Sequence, residues 1–286
     1  MSAAIDWGRM AAPQADGYDT EVTLRLATTS SSPLRPEPYR RRPVDGAPAL
    51  FGGRVAVRNR PSGGLTPPRY APASPTHPNL AAAEKLLEAW PDIAVQFPQL
   101  IDTIQPWTDT TMTPEFWLSV PGSSSHSLED EFGIIMATVD SPIGLAQALV
   151  HEMAHHKLRA LGVSLLQASR LVTNNPEDLF VSPIIVNRRR PMTAVLHAQY
   201  SFIHVTALDV ALYDAPGASE DQKRHAIYLL ARNVPRMEAG FEEIEAHVET
   251  DAEGAVFVAA FMSWSRAVLA GGREIMDANG YGIPAL

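Results

Sequence analysis

Beyond residue 79, apolar residues recur at helical spacing through most of the chain. Leu80-Ala-Ala-Ala-Glu-Lys-Leu-Leu-Glu-Ala-Trp predicts a helix ended by Pro91, and residues 92–104 predict a second. A third, over 142–161, has both ends marked: Ser141 can cap it, Pro142 suits the first helical position, and Gly162 supplies a stop. Residues 165–172 extend the helical pattern. Later helices are expected over roughly 191–213, 219–233, 236–247 and 252–269. Strand-like patterns are fewer. Residues 20–28 alternate apolar and polar positions, 53–58 do so briefly, and 116–120 and 132–139 read as short strands. Residues 33–43 are expected to be extended, 123–127 a polar loop, and 174–190 a longer one. Pro72, Pro75 and Pro78 set a soft boundary between a Pro/Arg-rich N-terminal arm (1–75), with possible short strands, and a body over 76–286.

The candidate chemistry lies in the third helix, where His151-Glu152-Met153-Ala154-His155 follows a strand. Residues four apart leave a helix on one face, so His151 and His155 can grip one metal ion, and Glu152 lies beside them where a zinc hydrolase keeps its general base. Two histidines leave an ion short of ligands. A metzincin would need glycine at 158 and histidine at 161; Leu158 and Leu161 exclude that class. His156 lies about 100° round the helix from His155, over Glu152, and suits a supporting role. His197 and His204 are seven apart on one later helix. His197 reads equally as a third ligand or as a core histidine bonded to a carbonyl, whereas His225 and His247 read as surface residues. Arg188-Arg189-Arg190 suits either a solvated run or an anionic ligand.

Composition narrows the classes. With 286 residues and 45% apolar content, a sizeable core is possible. The cysteine count of zero excludes disulfides, thiolate ligands and a cysteine nucleophile, so any metal must be held by nitrogen and oxygen. Residues 1–75 carry ten arginines against six acids, yet the whole chain is at −9, and an acidic body argues against general nucleic-acid binding. No uninterrupted apolar run approaches a membrane span, and no secretory signal pattern is seen, so a cytoplasmic protein is expected.

Three blocks, Phe132-Gly-Ile-Ile-Met-Ala-Thr, Leu149-Val-His-Glu-Met-Ala-His-His-Lys-Leu and Arg190-Pro-Met-Thr-Ala-Val-Leu-His-Ala-Gln-Tyr-Ser-Phe, together resemble the HExxH-motif peptide-modification family. Its members are understood as iron(II)- and 2-oxoglutarate-dependent β-hydroxylases of ribosomally made peptides. The similarity covers roughly residues 115–210, and more loosely the helices to 275. It does not reach the first 75 residues, and Ala154 and His156 depart from the family's usual neighbours of the second histidine. The resemblance implies that His151, His155 and His197 hold Fe(II), that Arg190, with Arg188 as a substitute, clamps the 2-oxoglutarate carboxylate, and that a precursor peptide is the substrate. Glu152 would then orient a ligand or hold a water. Hydroxylation at a side-chain Cβ is the expected reaction.

The competing reading is a zinc metallopeptidase with Glu152 as general base and Glu177, Asp178 or Asp209 as a possible third ligand. A non-enzymatic scaffold is a third. The expected fold is α+β and helix-dominated: a few strands packed on the metal-bearing HExxH helix, a zincin-like core, flanked by a C-terminal helical bundle.

Overall fold

The computed structural model describes residues 4–29, 37–59, 69–113, 122–165, 169–185 and 188–281. Its class is α+β, with seven α-helices and a small mixed sheet among those residues. Two compact units are formed, one from residues 27–156 and the other from 1–26 with 157–286.

The 27–156 unit is built on the sheet. Its strands are β1 (Ala49–Leu50), β2 (Val55–Val57), β3 (Tyr70–Pro72), β4 (Thr103–Asp109), β5 (Ser125–His126) and β6 (Ile134–Thr138). The order is β1-β2-β4-β6-β5, with β3 also on β4; β2, β4 and β6 run parallel and the rest antiparallel. Strand β4 replaces the end of the predicted second helix, which stops as α3 (Pro91–Leu100) after α2 (Pro78–Leu87). Pro106 hid this strand, since proline is rare in central strands. Here its carbonyl accepts from Ala73 N–H, so its donorless nitrogen lies on the side where β2 has ended and β3 begins. The one ladder bond it forgoes is the reciprocal donation to Ala73, just past the end of β3. Between the helices and the sheet lie the buried Leu80, Leu87, Ile93, Phe97 and Ile104.

Helix α4 (Pro142–Ala160) follows β6 as expected. The Ser141 hydroxyl accepts Gly144 N–H at 3.2 Å, and Gly162 stops the chain beyond the helix at a φ of +90°, open to glycine at little cost. The Gly122 carbonyl crosses the first turn so closely that a methyl at Gly144 would lie 2.1 Å from its oxygen. The same helix enters the second unit at Lys157.

The other unit holds α1 (Tyr18–Thr29), the β7 (Phe180–Val181) and β8 (Arg189–Arg190) pair, α5 (Met192–Asp214), α6 (Glu220–His247) and α7 (Ala252–Ala278). Residues 20–28 are helix, not strand. Asp19, Thr20, Val22, Thr23 and Ala27 are buried, three- and four-residue spacings that include polar groups an apolar pattern overlooks. One helix, α6, stands where two were expected, with Pro235 inside it. The described part of 163–172 is not helical, and the strand predicted at 116–120 falls outside the described residues. Helices α5, α6 and α7 pack on one another around Leu208, Leu230, Met237, Phe257 and Phe261. By length and composition α7 is apolar enough to cross a membrane, although Ser263, Ser265 and Arg266 interrupt the run; within this unit its Phe257 and Phe261 face is core.

Candidate metal centre

Helix α4 delivers the motif histidines as its spacing requires. His151 Nε2 and His155 Nε2 face each other at 3.0 Å, with ring planes nearly perpendicular and both residues partly exposed. A single proton between them would make one a donor. A cation in its place would be met by two lone pairs: metal–nitrogen bonds of about 2.1 Å at tetrahedral or octahedral angles put ligand nitrogens about 3.0–3.4 Å apart. The donor chemistry and spacing fit two cis ligands of one ion.

Glu152 is buried beside this pair, its Oε1 4.0 Å from His151 Nε2. Ser125 Oγ donates to Oε1 at 2.7 Å and Ser127 Oγ to Oε2 at 2.5 Å. Hydrogen bonds to a charged group contribute about 1.5–3 kcal/mol each. They fix the carboxylate as an oriented acceptor facing the imidazoles. These serines were missed in the sequence, where 123–127 read only as a polar loop. The available signal was their separation by two, which puts both hydroxyls on one side of an extended segment.

His156 supports the site from behind. It is buried, its Nε2 lies 3.0 Å from the Ile134 carbonyl of β6, and its ring meets Phe132 edge-on at 5.1 Å. These contacts lay the motif helix against the strand that precedes it. Behind Phe132, Tyr39 packs at 4.8 Å and donates its hydroxyl to Asp102 at 3.0 Å, while the Arg42 guanidinium binds Asp102 and the Phe132 carbonyl. Burial, and then the Asp102 charge, push the Tyr39 phenol well above its usual range.

His197 lies in the other unit, buried in α5, with Nε2 2.8 Å from the Val163 carbonyl. A ring nitrogen facing a carbonyl carries the proton, so Nε2 of His197 is a donor to the backbone and not a metal ligand in this arrangement. His204 is core: Nδ1 meets the Tyr200 carbonyl at 2.8 Å, and its ring touches Tyr200 and Trp264. Arg188 and Arg189 are exposed; Arg190 is half-buried on β8. Its proton affinity is lowered by burial first and by neighbouring Arg188 second. Among the described residues no three or more His, Asp or Glu side chains are gathered into a metal-holding set. The pair of His151 and His155, with Glu152 beside it, is the part brought together.

No family model matches the chain, and no curated protein matches it.

Proposed function

We propose that the chain is a metal-dependent oxygenase acting on a ribosomally made peptide, using iron(II) and 2-oxoglutarate to hydroxylate a side-chain Cβ. The observation that carries the metal reading is the 3.0 Å approach of the two Nε2 atoms on one helix face. His151 and His155 would hold the ion; His197 as a third ligand rests on the resemblance alone. When bound, iron with 2-oxoglutarate supplies the oxidation, releasing carbon dioxide and succinate as dioxygen is consumed. The chain's own contribution is positional. Glu152, held by Ser125 and Ser127, orients the imidazoles and balances the positive charge. Arg190, or Arg188 in its place, would take the cosubstrate carboxylate, its half-buried guanidinium having no acidic partner among the described residues. Iron over zinc, the zincin-like character of the core and the peptide substrate rest on the resemblance of the three sequence blocks.

One observation favours a second reading. Glu152 stands beside the histidine pair, where a zinc peptidase would use it as a base to activate water. Against that role, each of its oxygens already accepts a serine hydroxyl.

Anaerobic titration with Fe(II) and then 2-oxoglutarate should produce a weak visible charge-transfer band, lost in His151→Ala and His155→Ala. Succinate should form when air and a precursor peptide are added. Tight zinc with peptide cleavage abolished by Glu152→Gln, and no such band, would replace this reading with the peptidase. No stoichiometric metal binding by the parent protein would overturn both.

A further inference from the structure

The β7–β8 pair presents a surface that the metal chemistry does not use. Its register sets Phe180 opposite Arg190 and Val181 opposite Arg189. Opposed residues share a face and successive ones alternate, so the pair has two unlike faces. Phe180 and Arg190 are half-buried, with the Phe180 ring 5.6 Å from His247. Val181 and Arg189 face outward, and Val181 is 46% exposed. Nearby Leu179 and Ile185 are 49% and 42% exposed. Apolar side chains at these exposures, grouped on one short ribbon, are what a docking surface offers.

The backbone is open on the same ribbon. Strand β7 lies on α5 and α6, and among the described residues no further strand pairs with β8. Val181 N–H turns away from β8, to Glu243 Oε1 at 2.7 Å. In an antiparallel pair, a residue whose N–H points outward faces one that does the same. Arg189 therefore turns its N–H and carbonyl toward the open edge.

We propose, building on the peptide-modifying reading above, that the β8 edge docks an acidic, extended segment of the substrate peptide by strand addition. Backbone bonds to Arg189 hold the segment, its apolar side chains lie on Val181 and Leu179, and its carboxylates meet the arginine run. The charge is fixed by contrast: the chain carries −9, yet Arg188, Arg189 and Arg190 stand adjacent with no ion pair among the described residues. Burial first, and the neighbouring Arg188 charge second, lower the proton affinity of Arg190. An acidic strand offsets these charges.

The test uses the full-length, metal-free protein and a labelled peptide alternating glutamate with valine, read by fluorescence anisotropy. A control peptide of equal charge carries proline at every valine position. The first should bind about tenfold tighter than the control, because only it can add as a strand. Arg189→Gln should weaken binding severalfold by removing charge. Arg189→Pro should abolish it, since it also removes the outward N–H while an edge strand tolerates proline. Equal binding of both peptides, or equal affinity in the two variants once circular dichroism shows both folded, would overturn strand addition. Metal titration of the same samples keeps the outcomes separate: a parent protein that binds metal but docks neither peptide sinks this proposal and leaves the metal centre standing.

Discussion

The Lys157 ammonium donates to Asp19 Oδ2 at 2.6 Å, and neither side chain has any surface open to solvent. The pair joins the first helix of the chain to the turn of α4 just after the motif. Asp19 Oδ1 also accepts the Gln14 N–H. Removing one partner of a buried ion pair strands the other charge and costs about 3–5 kcal/mol. Lys157→Met should therefore destabilise the protein by about that much in urea unfolding. Adding Asp19→Asn, which keeps an acceptor for Gln14, should recover more than half of the loss. Strictly additive losses in the double variant would show that the two charges are not coupled.

Tyr39 predicts an alkaline dependence. Its folded-state proton affinity is raised by burial and by Asp102, while in the unfolded chain a tyrosine titrates near pH ~10. The stability that its neutral hydroxyl contributes is complete below that value and is lost as pH rises above it. Tyr39→Phe should lower the melting temperature at pH 7, by the equivalent of about 1 kcal/mol for the lost bond to Asp102. The gap should close above pH ~10, and a gap that stays constant to high pH would contradict the assignment.

Ser125 and Ser127 should matter for metal before they matter for folding. Replacing both with alanine leaves the Glu152 carboxylate free to turn away from the imidazoles. Partners of this kind typically tune metal affinity by about 10–100-fold. Competition with a chromogenic chelator should show a loss in that range for zinc or cobalt. The single variants should fall between, and unchanged affinity in the double variant would remove the serines from the site.

Gly144→Ala should perturb the same site from a distance. Its methyl would meet the Gly122 carbonyl oxygen at 2.1 Å, so either the helix start or the segment leading to Ser125 must shift. Overpacking of this kind costs about 1–3 kcal/mol. The expected result is a lowered urea midpoint together with weaker metal binding.

The motif helix was legible because everything that specifies it is local: Ser141, Pro142, the four-residue histidine spacing and Gly162. The parts that failed depend on partners far along the chain. Alternating residues 20–28 look like a strand until Thr20 and Thr23, polar in the sequence, are found buried beside the Asp19 turn of the helix. Strand β4 was obscured by Pro106, whose missing donor is harmless only because two short strands share one side of it. Pro235 suggested two helices where the packing of α5 and α7 sustains one. For the site, the histidine pair could be placed from the sequence, while the Ser125 and Ser127 hydroxyls on Glu152 needed the pairing of β5 with β6.

Because residues 27–156 form one unit and the flanking segments another, the first unit is complete while the ribosome still has α5, α6 and α7 to make. Met10 and Trp7, buried in the finished protein, must wait for those later helices. The imidazole pair lies wholly within that earlier segment, whereas Asp19 and Lys157 belong together to the unit that α5, α6 and α7 complete.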